Sequence, residues 1–293
     1  MKNKLSLFAV PYVGWMSIFV VAPIIIMVVY AFSTAAGDFT LENFARMGTY
    51  TAVFTRSFKL AIIATLIALL IGYPVSYMLS KEGPQVQRIA MVLIMLPMWM
   101  NFLLRTYSWM SILENNGLLN QLFQQIGLSD LYNQIAMHFA SDPAAYVPID
   151  HFQMIGTQGA VVLGMVYNYL PFMILPIYSV LVKLDHSLIE AARDLGASSV
   201  QVFRKVILPL SLPGVLSGIT MVFVPSVSTF AISRLLGGGT QMMLGDLIEQ
   251  QFLGGAYNPQ LGAAIALVMM AIVVVCMLVM NRFGDGEEQA VML

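Results

Sequence analysis

The sequence has very few charged residues, and this scarcity excludes most classes of soluble protein. Charged side chains make up 10% of the 293 residues, whereas a typical soluble domain contains about 25%. Hydrophobic residues make up 59% of the chain, and the mean hydropathy is +0.81. A formal net charge of −1 gives no basic surface for nucleic acid. The composition therefore indicates a protein that is mostly surrounded by lipid.

Residues that carry catalysis or metal binding are also scarce. The single cysteine, Cys276, lies in an apolar run and has no second cysteine to pair with. The three histidines, His138, His151 and His186, fall in predicted loops without metal-ligand spacing. The chain contains no Gly-Lys pair, so it lacks the motif that binds ATP phosphates. We therefore expect no enzyme activity, no metal site and no cofactor bound by this chain itself.

Six apolar segments are long enough to cross a bilayer, which takes about 20 helical residues. The first has an apolar stretch too long for a signal peptide and no clean cleavage site, so we interpret it as a retained span. The segments predict an all-α polytopic membrane protein with a single transmembrane domain. The predicted spans cover residues 8–32, 58–80, 89–112, 158–182, 206–232 and 260–281.

The distribution of basic residues predicts the orientation of these spans, because cytoplasmic loops are enriched in Lys and Arg. The loop 113–157 contains four acidic residues and no Lys or Arg, which suits an external loop. With both termini in the cytoplasm, the loop 183–205 also lies in the cytoplasm. Nine of the fourteen Lys and Arg then fall inside: Lys2, Lys4, Lys81, Arg88, Lys183, Arg193, Arg204, Lys205 and Arg282.

A polar loop between two apolar segments contains clear helix signals. Ser187 followed by Glu190 has the spacing of a capping box and predicts a short helix that starts near Leu188. Gly196 predicts the end of that helix, because glycine enters the left-handed conformation without a steric penalty.

A second capping box, formed by Ser198 and Gln201, predicts a second helix that continues into the next span. The result is an L-shaped element at the membrane surface. Small side chains on its first helix, Ala191 and Ala192, allow another protein to approach closely.

This loop resembles the EAA loop of ABC-importer membrane subunits, although Val206 stands where that family usually has isoleucine. The resemblance implies the type I importer permease fold. It also implies that the short helix is a coupling helix that docks into a groove of a separate ATPase dimer, which binds ATP and Mg. The residues that carry the resemblance, and the implied coupling site, are Glu190, Ala191, Ala192, Gly196, Leu208 and Pro209.

Three longer stretches resemble the spermidine/putrescine branch of these permeases. They are LPMWMNFLLRTYSW at 96–109, NYLPFMILPIYSVLVKLD at 168–185 and LLGGGTQMMLGDLIEQQF at 235–252. The resemblance implies polyamine import by alternating access, with a second homologous permease subunit and an external solute-binding protein. Permeases for iron, sulfate and phosphonate share these motifs, so those substrates remain alternatives.

Aromatic and hydroxyl groups at the expected depth of the pathway are candidates for binding ammonium groups, although packing is an alternative role for each. These candidates are Trp99, Tyr107, Trp109, Tyr167, Tyr169, Ser226, Ser228, Thr229 and Phe230. A glycine-rich bend after the fifth span is predicted to line or close the outer mouth. The residues of this predicted outer gate are Arg234, Gly237, Gly238, Gly239, Asp246 and Glu249, and Arg234 is expected either to face away or to pair with one of the two acids.

An ion-coupled secondary transporter is the alternative from another class. Such proteins usually keep ionisable residues inside their spans, and here Arg105 is the main exception. It follows Arg88 by 17 residues, or roughly 25 Å of helix. We therefore expect Arg105 near the outer face, where it snorkels or pairs with Glu114. The lack of carboxylates inside the spans favours an external source of energy.

Overall fold

The computed structural model describes residues 11–139 and 147–291, and these are helical with no β-sheet beyond one isolated bridge between Ser33 and Phe39. Twelve helices are numbered here in chain order. They are α1 (Pro11–Ala31), α2 (Thr51–Ser80), α3 (Pro84–Met95), α4 (Phe102–Leu113), α5 (Leu118–Gln125), α6 (Leu128–Phe139), α7 (Gln158–Leu181), α8 (His186–Asp194), α9 (Ser199–Ser228), α10 (Ala231–Leu236), α11 (Leu244–Leu253) and α12 (Pro259–Val291). Short helical turns over residues 42–50 lead into α2.

Five of the helices are long and apolar enough to cross a membrane, namely α1, α2, α7, α9 and the part of α12 up to Met280. The pair formed by α3 and α4 gives a sixth crossing if it is counted as one span. The predicted all-α polytopic fold is therefore confirmed.

The third span is bent, which the sequence prediction of a straight helix over 89–112 missed. The segments on either side of the break meet at 90°. Leu96–Trp99 forms a tight helical turn that contains Pro97, and Met100 is extended with ψ of 148°. The Asn101 side chain then caps α4 by accepting hydrogen bonds from the N–H groups of Leu103 and Leu104. This side-chain cap lets a new helix begin in a new direction.

The centre of the bundle consists of α2, α7 and α9, which pack more extensively than any other helices. Small residues let their backbones approach, as is common between membrane helices. A Cβ atom on Gly72 of α2 would lie 2.9 Å from Met173, and one on Gly218 of α9 would lie 2.8 Å from the same side chain. A Cβ atom on Gly214 would lie 2.8 Å from the carbonyl oxygen of Pro176. We call these contacts the glycine seam.

The fifth span ends earlier than the predicted boundary at residue 232. Helix α9 stops at Ser228, one turn after Pro225, and Thr229 is extended. The chain then forms α10, turns through Gly238 and Gly239, and returns as α11. Both glycines have positive φ values of 56° and 74°, which other residues rarely adopt.

The bundle has two distinct ends. At one end, the C-terminal parts of α2 and α7 pack with α8 and the start of α9 in one apolar cluster. At the other end lie α5, α10, α11 and the segment 147–157. This geometry puts the loop 183–205 on the face opposite the acidic loop 113–157.

Candidate coupling surface and transport pathway

Helix α8 contains Glu190, Ala191 and Ala192, but its start differs from the prediction. The helix begins at His186, and its N-cap is Asp185, whose carboxylate accepts a hydrogen bond from the Ser187 N–H at 2.9 Å. The predicted capping box at Ser187 is therefore wrong, and the helix starts two residues earlier than Leu188. Asp and Ser are both good N-caps, so the sequence pattern alone did not distinguish them.

The end of α8 agrees with the sequence prediction. Gly196 has φ of +81°. Its N–H bonds the carbonyl of Arg193 at 2.8 Å, and the Ala197 N–H bonds the carbonyl of Ala192 at 3.1 Å. This pair of hydrogen bonds is a Schellman motif.

The second capping box is also confirmed. Ser198 and Gln201 bond each other's backbone N–H groups at the start of α9. Together with the Schellman motif, it fixes the angle between α8 and α9.

Helix α8 rests on the bundle by one face and presents the other to solvent. Ile189 and Ala192 pack into the apolar cluster at this end. On the adjoining face, Ala191 is exposed, Leu188 is 48% exposed and Leu195 is 89% exposed. Leu188 and Leu195 are therefore apolar side chains that the described part of the chain leaves uncovered.

Leu208 and Pro209 lie within α9, just beyond a wide helical turn over Phe203–Ile207. Proline has no N–H to donate, so it disturbs the usual hydrogen-bond pattern of the turn before it. This wide turn separates the L-shaped loop element from the membrane part of α9. Wide turns of this kind are often found at functional sites. The two residues therefore lie at the base of this element, not on its docking face.

The structure separates the predicted pathway residues into groups. Trp109 and Tyr167 pack edge-to-face with ring centroids 5.2 Å apart. Ser226 donates to the carbonyl of Val222 at 2.7 Å, and Ser228 donates to that of Val224 at 3.2 Å. These hydroxyl groups are thus used inside their own helix. The remaining exposed candidates are Trp99, Tyr107 and Phe230.

Tyr169 and Thr229 meet where α9 breaks. The hydroxyl of Tyr169 interacts with the Thr229 side chain, and the charge of Arg105 acts on the same tyrosine. Arg105 and Thr229 are both buried. The structure therefore brings three polar side chains from α4, α7 and the α9–α10 break into one region.

Arg105 does not behave as expected from the sequence. It is 8% exposed rather than at the surface, and it forms no ion pair with Glu114 or with any other acid among the residues described. The buried Nε and Nη1 atoms have no hydrogen-bond partner. The 90° bend before α4 redirects the helix, so a distance along a straight span gave the wrong location.

The predicted outer-gate residues adopt a defined arrangement around α10 and α11. Arg234 forms a bidentate ion pair with Glu249, at 3.1 and 2.7 Å. Asp246 is buried and accepts hydrogen bonds from the Ser233 hydroxyl and the Met243 N–H. Burial raises the pKa of Asp246 above its usual value, and the two hydrogen bonds partly oppose that shift.

Amide side chains that the sequence analysis missed attach α5 and α6 to the loop segment 147–157. Asn120 of α5 bonds both the N–H and the carbonyl of Phe152, and Asn133 of α6 bonds both groups of Ile149. Asparagine is common in loops and caps, so no local pattern marks these residues. Their partners lie 32 and 16 residues away.

The part of the chain that the structure describes contains no cluster of three or more His, Cys, Asp or Glu side chains that could hold a metal ion. His138 lies in α6 and not in a loop as predicted, and His186 is the first residue of α8. His151 follows α6 in a loop, as expected.

A bundle of membrane-spanning helices with a capped helix at one end defines a polytopic membrane protein. The chain belongs to the family of binding-protein-dependent transport system inner membrane components, whose model matches residues 68–286. The resemblance inferred from the loop is confirmed, and the chain is an inner-membrane transport component.

Individual relatives extend the similarity over nearly the whole chain. The spermidine/putrescine transport system permease protein PotB of Haemophilus influenzae is 35% identical over 285 residues, which cover 93% of both chains. PotB of Escherichia coli is 34% identical over 281 residues, covering 93% of this chain and 95% of the relative.

Solved structures support the fold. A bacterial ABC transporter involved in the import of the acidic polysaccharide alginate matches with a TM-score of 0.76 at 16% identity, covering 97% of this chain and 96% of that chain. The methionine ABC transporter MetNI matches with a TM-score of 0.54 at 19% identity, covering 84% and 98%. At these identities the likeness concerns the fold, which is that of ABC-importer permeases.

Proposed function

We propose that this chain is a permease subunit of an ABC importer for polyamines such as spermidine and putrescine. The observation that carries the proposal is the combination of the docking helix α8 with 35% identity to a spermidine/putrescine permease over 93% of the chain. Import proceeds by alternating access, in which a separate ATPase supplies the energy. The chain itself contributes half of the pathway.

The coupling step uses the exposed face of α8. Leu188, Ala191 and Leu195 enter a groove on the ATPase, while Ile189 and Ala192 transmit the movement to α2, α7 and α9. Glu190 is exposed beside the docking face. Because the Schellman motif at Gly196 holds α8 rigidly to α9, closure of the ATPase dimer moves both helices together.

The expected substrate class follows from chemistry as well as from the relatives. A polyamine carries several ammonium groups, which bind to aromatic faces, hydroxyl groups and carboxylates. The exposed rings of Trp99 and Tyr107, and of Phe230 at the α9–α10 break, are available for such contacts. Helices α1 to α4, α7, α9 and the part of α12 up to Met280 contain no carboxylate, so the anionic part of the lining comes from a second permease subunit.

The outer end receives the substrate from a solute-binding protein. The residues of α10, α11 and the turn between them form the outer gate, which the Arg234–Glu249 ion pair holds together. Both chain termini lie in the cytoplasm. This orientation puts α8 beside the ATPase and the acidic loop 113–157 beside the binding protein.

The test is the substrate-dependent ATPase activity of the full complex in proteoliposomes. It contains this chain, the second permease, the ATPase and the binding protein of its own system. Titration with spermidine and putrescine is expected to stimulate ATP hydrolysis and uptake. Ferric iron, sulfate and phosphonate are expected to stimulate neither. Stimulation by iron or an anion would retain the importer class and reject the substrate. Uptake that depends on an ion gradient but not on ATP would reject the importer class.

A further inference from the structure

Arg105 is a buried cation whose counter-charge the described chain does not supply. Its Nε and Nη1 atoms are buried without a hydrogen-bond acceptor, and the side chain is 8% exposed. An uncompensated charge in a low-dielectric interior costs several kcal/mol. A fold that retains such a group indicates a partner in the assembled state. Nη2, which is not among the buried unpaired atoms, is the guanidinium atom that such a partner can reach.

The surroundings of Arg105 exclude an internal carboxylate among the described helices. No Asp or Glu occurs in α2, α3, α4, α7, α9 or α10. The carboxylates of α11 are already engaged, because Glu249 pairs with Arg234 and Asp246 bonds Ser233 and Met243. The charge of Arg105 also acts on Tyr169, which supplies a phenol and not a carboxylate.

Arg105 lies near the N-terminus of α4, and the helix itself adds to the positive electrostatic potential there. It lies in the first turn after the Asn101 cap, and its own N–H bonds the carbonyl of Asn101 at 3.2 Å. The N-terminus of a helix carries a partial positive charge that favours anions. The guanidinium and the end of this 12-residue helix therefore act together on an approaching anion.

The adjacent face of α4 is left uncovered by the residues that the structure describes and is suited to another protein. Leu104, Tyr107, Ser108 and Ser111 follow each other at helical spacing and are all exposed. The Ser108 hydroxyl bonds the carbonyl of Leu104 within the helix, and the Tyr107 and Ser111 hydroxyl groups give this face polar groups that a partner protein can contact. It runs directly beside Arg105 along the helix.

From these observations we propose that Arg105 binds a carboxylate of the second permease subunit, which packs on the exposed face of α4. The resulting intersubunit ion pair lies beside the pathway and fixes the register of the two subunits. This inference rests on the proposed function only in requiring a second membrane subunit. It does not depend on the identity of the substrate.

The first arm of the test replaces Arg105 with Met, which keeps the length of the side chain but removes the charge. Retention of the second subunit during size-exclusion chromatography in detergent is expected to fall about tenfold or more, because the partner carboxylate is left unpaired. Arg46→Met is the matched control, since Arg46 forms an exposed pair with Glu42 at the chain surface. Wild-type retention for Arg105→Met would overturn the proposal.

The second arm leaves Arg105 intact and changes each membrane-embedded Asp or Glu of the second subunit to Asn or Gln. One such change is expected to reproduce the loss of assembly, and combining it with Arg105→Met is expected to restore retention. If no neutralisation alters retention, the proposal is wrong. This arm remains decisive even if Arg105→Met fails to reach the membrane.

A third arm separates the two possible sources of the anion. If sulfate rather than spermidine stimulates the wild-type ATPase, and Arg105→Met raises the KM for sulfate while assembly is intact, then Arg105 binds substrate. In that case both this proposal and polyamine import fail. If spermidine stimulates the ATPase and Arg105→Met assembles normally, the proposal fails while the proposed function stands.

Discussion

The loop 183–205 and the glycine seam both depend on glycine, but glycine has opposite roles in them. In the loop, Gly196 has a positive φ, and no atom lies within 4 Å of the point that a Cβ atom would occupy, so its role is conformational. In the seam, Gly214 and Gly218 are ordinary helical residues, and backbone atoms of α7 lie within 3.1 Å of the corresponding points. Substitutions in the loop should therefore affect coupling, and substitutions in the seam should affect the bundle itself.

The largest effect is expected for Gly214→Val. The new Cβ atom would overlap the carbonyl oxygen of Pro176 and crowd the Cα atom of Ile177, and neither backbone group can move independently. Overpacking of this kind typically lowers the free energy of unfolding by about 1–3 kcal/mol. We expect a loss at the upper end of this range, because the crowded atoms belong to the backbone. Thermal unfolding of the purified protein in detergent should show a clear fall in Tm.

Gly48→Val serves as the control for the seam, because no atom lies within 4 Å of a Cβ atom added there. Its Tm should remain near that of the wild type. Equal losses of stability for the two variants would show that the seam is not tightly packed.

Gly196→Val should uncouple transport without unfolding the bundle. A β-branched residue in the left-handed conformation costs roughly 1–2 kcal/mol, so the docking-competent form of α8 should become about 5–30 times rarer. Spermidine-stimulated ATPase activity and uptake should fall by a similar factor, while the Tm changes little. Gly196→Asn should retain most of the activity, because asparagine tolerates this conformation. Similar losses for Val and Asn would indicate that the absence of a side chain, and not the backbone angle, is required.

Leu195→Ser addresses the docking face itself. The side chain is 89% exposed in the isolated chain, so its removal should leave the Tm unchanged. Loss of one apolar contact at the ATPase groove, at about 1 kcal/mol, should weaken ATPase binding roughly fivefold. Leu41→Ser is the control, since Leu41 is an exposed leucine at the opposite end of the bundle. If the two variants bind the ATPase equally well, the docking site does not include Leu195 of α8.

The two regions also differ in how well the sequence predicted them. The loop depends on local signals, and both Gly196 and the Ser198–Gln201 capping box were identified from residue spacing alone. The start of α8 was misplaced by two residues because Asp185 and Ser187 are both capable caps. Because the element is short, an error in predicting where its helix starts amounts to only a few residues.

The membrane region depends on contacts between residues far apart in the chain. The six apolar segments were recognisable, but the bend at Asn101 was not, because a cap inside an apolar run gives no change in hydropathy. The error for Arg105 followed from that bend. Whether Arg105 is buried depends on how α7 and α10 pack on α4, and no local pattern contains that information.

The smallest effect is expected at Asp246, in the outer gate. Because burial raises its pKa in the folded protein above the unfolded value of 3.8, the folded state binds the proton more tightly. The associated stability is fully present below pH 3.8 and is lost as the pH rises through the folded-state pKa. Asp246→Asn imitates the uncharged form, since its amide oxygen can still accept hydrogen bonds from both the Ser233 hydroxyl and the Met243 N–H. At pH 7 the Tm of the variant should therefore equal or exceed that of the wild type by a few degrees at most, and this difference should shrink as the pH falls towards 4. A variant that is less stable than the wild type at pH 7 would contradict this prediction. It would show that the ionised carboxylate of Asp246 stabilises α11 and the outer gate.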